Sequence, residues 1–160
     1  TRALSQMQED LRRDHVTGVY NAVYLNEEFR PYAERAAMDG QPVGVVMLRV
    51  NEYWHLREHE SSTAADCCLN MAAGILQLTV GPDHEKAVLA RLNDGFFAIV
   101  TVGTPAAAMA QTVREAMNDS RREFNISLSR RGSFTVAIAS AEWGETASWD
   151  MMLSLAQQRL

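Results

Sequence analysis

The string His55-Leu56-Arg57-Glu58-His59 combines two imidazoles and a carboxylate within five residues, which is a candidate for binding a metal ion. On a helix, this H-x-x-E-H order places two imidazoles on one face beside a carboxylate, as in the inverted zinc proteases. A solvated polar segment explains the same residues, because charged side chains crowd the string and so short a motif arises by chance. The sequence identifies no third ligand, so a zinc hydrolase is kept only as an alternative.

The rest of the chain carries no local catalytic motif. There is no G-x-S-x-G elbow, Walker loop or G-x-G-x-x-G sequence. Cys67 and Cys68 are adjacent and have apolar neighbours. Adjacent cysteines cannot join distant segments, so we expect them to pack in a helix in a reducing compartment.

Composition bounds the class of protein. The chain has 160 residues, of which 47% are hydrophobic and 22% charged, which suits one folded domain and excludes a disordered chain. With 15 Lys+Arg against 20 Asp+Glu, the net charge is −5 and no basic run occurs, so we expect no nucleic-acid partner. No apolar run approaches the roughly 20 residues that span a bilayer, and no signal-peptide pattern opens these 160 residues. The chain begins with Thr1, and we expect it to be a domain of a longer protein.

Hydrophobic periodicity indicates the elements that position these residues. Leu4, Met7 and Leu11 form a narrow helical stripe, either a short helix or the end of a coiled coil. The almost continuous apolar run Val43–Val50 predicts a strand buried on both faces. The other predicted helices lie at 22–38, between a cap at Ser62 or Thr63 and the break at Gly81-Pro82, after Thr104-Pro105, and at 149–160. The other predicted strands are 87–92 and 96–102, which form a hairpin with positive φ angles at its Asp-Gly turn, and 134–141. This order predicts an α/β sandwich around a central mixed sheet.

Five ordered segments carry a resemblance to a known family. They are DHVTGVYN at 14–21, LRVNEYW at 48–54, Arg57-Glu58 with Asp66, ARLNDGFF at 90–97 and TVAIA at 135–139. Their order resembles the GGDEF domain, the diguanylate cyclase family, whose strings are D-x-L-T-G-L-x-N, I-D-I-D-x-F-K, N-D with a later Asp, A-R-x-G-G-D-E-F and T-V-S-I-G. The resemblance implies a nucleotide-cyclase-like α/β fold with a signature β-hairpin at 92–97. It also implies a domain at 14–160 behind a linker or signalling helix at 1–13.

The departures from this pattern concern the metal site. In the family, two divalent cations are held by a carboxylate on the first strand and one in the signature. Arg49 stands at the first position, and the signature reads Asn93-Asp94-Gly95-Phe96-Phe97, so Gly95 and Phe96 replace the acidic pair. Because Mg²⁺ needs oxygen ligands and phosphoryl transfer depends on the metal, the resemblance implies that the Mg site and cyclase activity are lost.

Nucleotide recognition is altered as well. Asp66 keeps the family's guanine-binding carboxylate, whereas Arg57 replaces its Asn. Arg49 and Arg57 could contact phosphates directly, which keeps GTP open as a regulatory ligand. The other interpretation is that Arg49 extends its guanidinium into solvent or pairs with a neighbouring acid such as Glu52, which leaves the pocket closed. Two further positions depart from the family: Gln157 replaces a phosphate-proximal Lys, and the inhibitory product site R-x-x-D is lost at His84 to Ala87.

The resemblance therefore implies a catalytically inactive GGDEF domain that serves as a regulatory or interaction module in a bacterial cyclic di-GMP signalling protein. Its expected partners are neighbouring domains of the same chain: a sensor or membrane region upstream and an EAL phosphodiesterase downstream. We expect a cytoplasmic domain, with an inner-membrane protein as one setting, and a homodimer as one oligomeric state. The alternatives are a ligand-free dimerisation scaffold that associates through the stripe at residues 4–11, the zinc hydrolase, and residual cyclase activity.

Overall fold

A five-stranded mixed sheet forms the centre of the described part of the chain. The computed structural model describes residues 2–83, 86–127, 135–146 and 148–160, and of residues 121–127 it describes the helical backbone only. The strand order is β1-β3-β4-β2-β5, with β1 parallel to β3 and the other neighbours antiparallel. The strands are β1 (Tyr20–Asn21), β2 (Val43–Val50), β3 (Ala87–Asn93), β4 (Phe96–Val102) and β5 (Val136–Glu142). The helices are α1 (Arg2–Arg12), α2 (Arg30–Met38), α3 (Tyr53–His59), α4 (Ser62–Val80), α5 (Ala106–Ser127) and α6 (Trp149–Gln158), with a π-helix at Tyr24–Phe29 and a 3₁₀ turn at Trp143–Glu145.

Strand β2 is buried on both faces, as its apolar run predicts. Its side chains alternate between two core clusters. Val46 and Leu48 pack in the cluster beneath α3, α4 and α5, whereas Val45 and Met47 pack in the cluster beneath α2 and α6. Arg49 is the one residue of the strand that is not buried. The predicted mixed sheet with helices on both faces is confirmed.

Helix α4 covers one face of the sheet through its buried small and apolar side chains. Its cap is Ser61, whose hydroxyl accepts a hydrogen bond from the Ala64 amide at 3.0 Å, so the predicted cap at Ser62 or Thr63 is wrong by one or two residues. Gly81, at φ +75°, ends the helix where the sequence predicted. Of the described helices, α4 alone is long and apolar enough by composition to cross a membrane, so the expectation that no segment approaches this length is wrong. Core helices pass the same test, and α4 packs on the sheet.

The helix predicted at 22–38 is present but changes its winding. The stretch Tyr24–Phe29 is a π-helix that continues directly into α2, and Leu25 and Phe29 are buried. Pro31, in the first turn of α2, has no N–H to donate and its ring crowds the carbonyl four residues earlier. The wider upstream turn accommodates that proline.

Helix α1 is joined to the domain by side chains at its C-terminal end. Arg12 Nε lies 2.9 Å from a carboxylate oxygen of Glu28, and Asn21 donates its side-chain amide to the Leu11 carbonyl at 2.7 Å. The Arg13 guanidinium lies 4.0 Å from the centroid of the Tyr20 ring. The predicted stripe at residues 4–11 is exposed: Leu4, Met7 and Leu11 have 60%, 61% and 74% of their surface accessible.

Candidate functional site

The signature hairpin forms between β3 and β4, and its two-residue turn lies close to β2 and α3. Asp94 adopts φ +47°, in the left-handed region that turns of this kind require. The sequence predicted a positive φ at Gly95 too, and this was wrong. Gly95 is required for a steric reason instead, because a Cβ there would lie 2.9 Å from Tyr53 Cβ and 3.0 Å from the Val50 carbonyl oxygen. The Gly95 carbonyl also accepts a hydrogen bond from the Val50 amide at 2.8 Å, so the turn sits directly against the end of β2.

An ion pair fastens this turn to the N-terminal part of the domain. Arg91 donates two hydrogen bonds to the Asp94 carbonyl, at 3.1 and 2.9 Å, and its Nη1 lies 3.2 Å from Asp14 Oδ1. Asp14 also accepts hydrogen bonds from the amide and hydroxyl of Thr17. The Arg91 and Asp14 side chains are only 12% and 17% exposed, so the pair is largely desolvated. We call Arg91, Asp14 and Asp94 the turn clamp.

Arg49 stands directly opposite Phe96 in the β2–β4 register, so a guanidinium and a benzyl side chain occupy neighbouring positions. Arg49 Nε donates to Asn51 Oδ1 at 3.1 Å. The alternative in which Arg49 pairs with Glu52 is wrong, because the Glu52 carboxylate accepts the Thr135 amide at 3.0 Å and also the Thr135 hydroxyl. Next to Phe96, Phe97 turns to the other face and is fully buried in the core.

The other two candidate nucleotide-binding residues lie on α3 and α4. Arg57 donates from Nη1 to the Tyr53 hydroxyl at 2.7 Å, and its guanidinium lies 5.7 Å from the centroid of the Trp54 ring. The Asp66 side chain is half-buried, and no described residue forms a hydrogen bond or ion pair with its carboxylate. Asp66 therefore keeps its full capacity to accept hydrogen bonds, whereas Arg57 is already engaged.

A cavity of about 440 Å³ with a mixed polar and apolar lining lies beside the hairpin, on the side of the sheet covered by α6. Its lining includes Asn93 and Gln157, two positions that the resemblance singled out, but not Arg49, Arg57 or Asp66. The full lining is Ala22, Asn26, Arg30, Met47, Leu92, Asn93, Asp150, Leu153, Ser154 and Gln157.

Sequence reasoning missed Asn26 and Arg30 as lining residues of that cavity. Their spacing of four on the helix at 22–38 puts both on one face, which is the signal that could have found them. Asn26 Oδ1 accepts the indole N–H of Trp149 at 2.8 Å, and Arg30 Nε donates to Glu34 at 2.8 Å. Both polar groups thus have partners within the protein.

The remaining predicted site residues are separate from this cavity. Ala87 is the first residue of β3 and is buried, while His84 lies outside the described residues. His55 and His59 are exposed on α3 with their ring centroids 4.7 Å apart. Within the described ranges, no group of three His, Cys, Asp or Glu side chains could hold a metal ion, so the third ligand of a zinc protease is not found there.

Only one of the two cysteines of α4 packs in the core, so the expectation that both pack there is wrong for Cys67. Cys68 is buried, and burial raises the pKa of its thiol to about 11, with smaller contributions from Cys67 and Glu52. Cys67 is exposed, and neither thiol is in a disulfide. A buried thiol with so high a pKa is not a nucleophile near neutral pH.

Comparison with known proteins agrees with this architecture. The structure of the coiled coil and GGDEF domain of DgcB from Caulobacter crescentus, in complex with c-di-GMP, superposes with a TM-score of 0.81 at 20% identity, covering 98% of this chain and 82% of that one. The FimX GGDEF domain from Pseudomonas aeruginosa gives 0.75 at 22% identity, covering 92% and 90%. The Vibrio cholerae LapD S helix-GGDEF-EAL structure, bound to c-di-GMP, gives 0.76 at 16% identity, covering 98% of this chain and 35% of that one.

These likenesses show that the fold is shared. The family model described as "Diguanylate cyclase, GGDEF domain" matches residues 11–160, which is nearly the whole chain. The strand order, the hairpin at the signature position and that match lead to one conclusion: the chain belongs to the GGDEF domain family.

Proposed function

We propose that this chain is a catalytically inactive GGDEF domain that acts as a regulatory or interaction module in cyclic di-GMP signalling. The observation that carries the proposal is the closeness of Gly95 to β2 and α3. A side chain at this signature position would contact Tyr53 Cβ at 2.9 Å and the Val50 carbonyl at 3.0 Å. The hairpin therefore leaves no room for a carboxylate where the family carries one.

The surroundings of the first-strand position support the same proposal. Arg49 brings a positive charge to the place where a family member carries a metal-binding carboxylate, and its cross-strand neighbour is Phe96. Neither side chain offers the hard oxygen ligands that Mg²⁺ requires, and the guanidinium repels the ion. Phosphoryl transfer between nucleotides relies on metal neutralisation of developing charge, so the reaction loses its main source of stabilisation.

A role toward neighbouring domains is supported by the fastening of α1 and by the relatives. Contacts of Arg12, Arg13 and Asn21 set the direction in which α1 leaves the domain. Asp14 of the turn clamp follows two residues after α1 ends, so a rotation of α1 would act on the clamp through this short connection. One solved relative is an S helix-GGDEF-EAL protein, and another is the diguanylate cyclase SiaD in complex with its activator SiaC. We propose an EAL phosphodiesterase domain as the downstream partner, a sensor or membrane region upstream, and a cytoplasmic location for this domain.

GTP is proposed as a regulatory ligand rather than a substrate. Asp66 supports this, because its carboxylate is half-buried and has no described partner. Arg57 would have to leave the Tyr53 hydroxyl, or keep that bond and use its other N–H groups, to contact a phosphate.

A cyclase assay tests the proposal. Purified protein is incubated at high concentration with GTP and Mg²⁺, and cyclic di-GMP is quantified by mass spectrometry beside an active GGDEF domain. We expect no product above the protein-free control. Product that forms with the wild type and disappears in the Asp66→Ala variant would come from this chain and would contradict the proposal.

A ligand-free dimerisation scaffold is the second candidate, and the exposed stripe of α1 favours it. Leu4, Met7 and Leu11 repeat at the three- and four-residue spacing of a coiled-coil seam. If the stripe is the interface, sedimentation shows a dimer that dissociates in the Leu4→Glu/Leu11→Glu variant and persists in the control Gln8→Glu. A monomer with residues 1–13 intact would rule this scaffold out.

A further inference from the structure

The two imidazoles of α3 form a cluster that the proposed function does not use. His55 and His59 are four residues apart, so they lie one turn from each other on the same helical face. Their ring centroids are 4.7 Å apart and their planes are inclined by 39°. Both side chains are exposed, and no described residue forms a hydrogen bond or ion pair with either of them. Their ring nitrogens are thus accessible to a ligand from solvent.

The helix that carries the pair is held firmly despite having seven residues. Tyr53 and Leu56 are buried in the core beneath it. The Leu56 carbonyl accepts the amides of Glu60 and Ser61 at 2.9 and 2.8 Å, which fixes the C-terminal turn next to His59. The backbone positions of the two histidines are therefore set before any ligand binds, which lowers the entropic cost of binding.

We propose that His55 and His59 together chelate one late first-row transition cation, of the class of Zn²⁺ or Cu²⁺. Neutral imidazole is the preferred nitrogen ligand of these ions, whereas Mg²⁺ and Ca²⁺ take oxygen ligands. The described residues provide no group of three ligands, so water fills the remaining coordination positions. Such a site exchanges its metal readily, because solvent reaches the remaining coordination positions.

This site differs in chemistry from the zinc hydrolase that the H-x-x-E-H string suggested. A catalytic zinc ion needs three protein ligands and one open position. Two imidazoles hold an exchangeable ion and do not assemble that centre. The inference is also independent of whether the domain binds GTP.

Calorimetric titration of tag-free protein with ZnCl₂ tests the proposal, with MgCl₂ as the control ion. We expect one Zn²⁺ per chain and no heat from Mg²⁺. In His55→Gln and in His59→Gln, the affinity for Zn²⁺ should fall by at least about 10-fold, since even the loss of a group that only orients a ligand typically costs that much. The matched controls are His15→Gln, an exposed histidine outside the pair, and Cys67→Ser, an exposed thiol on α4. Both should bind as the wild type does.

Two results would overturn the proposal. One is the absence of saturable Zn²⁺ binding up to about 1 mM. The other is wild-type affinity in the His55→Gln/His59→Gln double variant, which would place the ion elsewhere. Circular dichroism melts in EDTA show whether each variant is folded, so a loss of binding is not confused with a loss of structure.

Discussion

Replacing Arg91 by alanine should destabilise the domain, because Arg91 makes the contacts that hold the turn clamp together. The substitution removes two hydrogen bonds to the Asp94 carbonyl and leaves the Asp14 carboxylate, 17% exposed, without its cation. Breaking a buried ion pair by removing one partner costs about 3–5 kcal/mol. Because Asp14 keeps its hydrogen bonds from Thr17, we expect the lower end, about 3 kcal/mol of unfolding free energy.

Urea denaturation and thermal melting measure this loss. For a domain of this size, about 3 kcal/mol corresponds to a fall in Tm of about 6–12 °C. The matched control is Lys86→Ala, which removes the exposed ion pair with Asp83 and should cost under about 0.5 kcal/mol. A double-mutant cycle with Asp14→Ala should show a coupling energy of at least about 1 kcal/mol, since the two side chains are in direct contact. An Arg91→Ala protein as stable as Lys86→Ala would refute the role assigned to the clamp.

Three further predictions concern single positions. Gly95→Asp should destabilise the fold, because the new Cβ meets Tyr53 and Val50, and denaturation measures this loss. Even combined with Arg49→Asp and Phe96→Glu, it should not restore cyclase activity in the GTP assay. A stable and active triple variant would show that the hairpin can shift to accommodate a side chain at this position. Glu145, whose pKa Arg159 lowers to about 2, should titrate in NMR near that value in the wild type and closer to its ordinary value in Arg159→Ala. Its ion pair thus contributes to stability above the ordinary carboxyl pKa and is lost as the pH falls toward 2, so an unshifted midpoint would contradict the pairing. Iodoacetamide near neutral pH should alkylate Cys67 and not Cys68 in the folded protein, because Cys67 is exposed whereas Cys68 is buried and has a raised pKa. Labelling should therefore disappear in Cys67→Ser. Rapid labelling of Cys68 would contradict its burial beneath α4.

Local chemistry made much of the fold predictable. The apolar run of β2, the Asp-Gly turn and the glycine after α4 each depend on neighbouring residues only, and each is present in the structure. Helix α3 was harder to foresee, because Tyr53 and Leu56 are its only buried side chains and the rest of the segment is polar. The π-helix at Tyr24–Phe29 leaves the apolar spacing almost unchanged, so periodicity could not reveal it.

The site was less predictable than the fold because it depends on contacts between distant segments. Asp14 and Arg91 are 77 residues apart, and nothing in their spacing indicates that they meet. The sequence left Glu52 open as a partner of Arg49 because it could not show that the Glu52 carboxylate binds Thr135, 83 residues further along the chain. Similarly, the crowding at Gly95 arises from the packing of the hairpin against α3, which no property of the signature string reveals.

Loss of the Mg²⁺ site is tested directly by a calorimetric titration of the purified domain with GTP, performed once in Mg²⁺ and once in EDTA. If the metal site is lost, the two titrations give the same result, whether that is no heat or a saturable isotherm that weakens in Asp66→Ala. Binding that appears in Mg²⁺ and vanishes in EDTA would show that the domain still holds a metal–nucleotide complex and that its metal site is not lost.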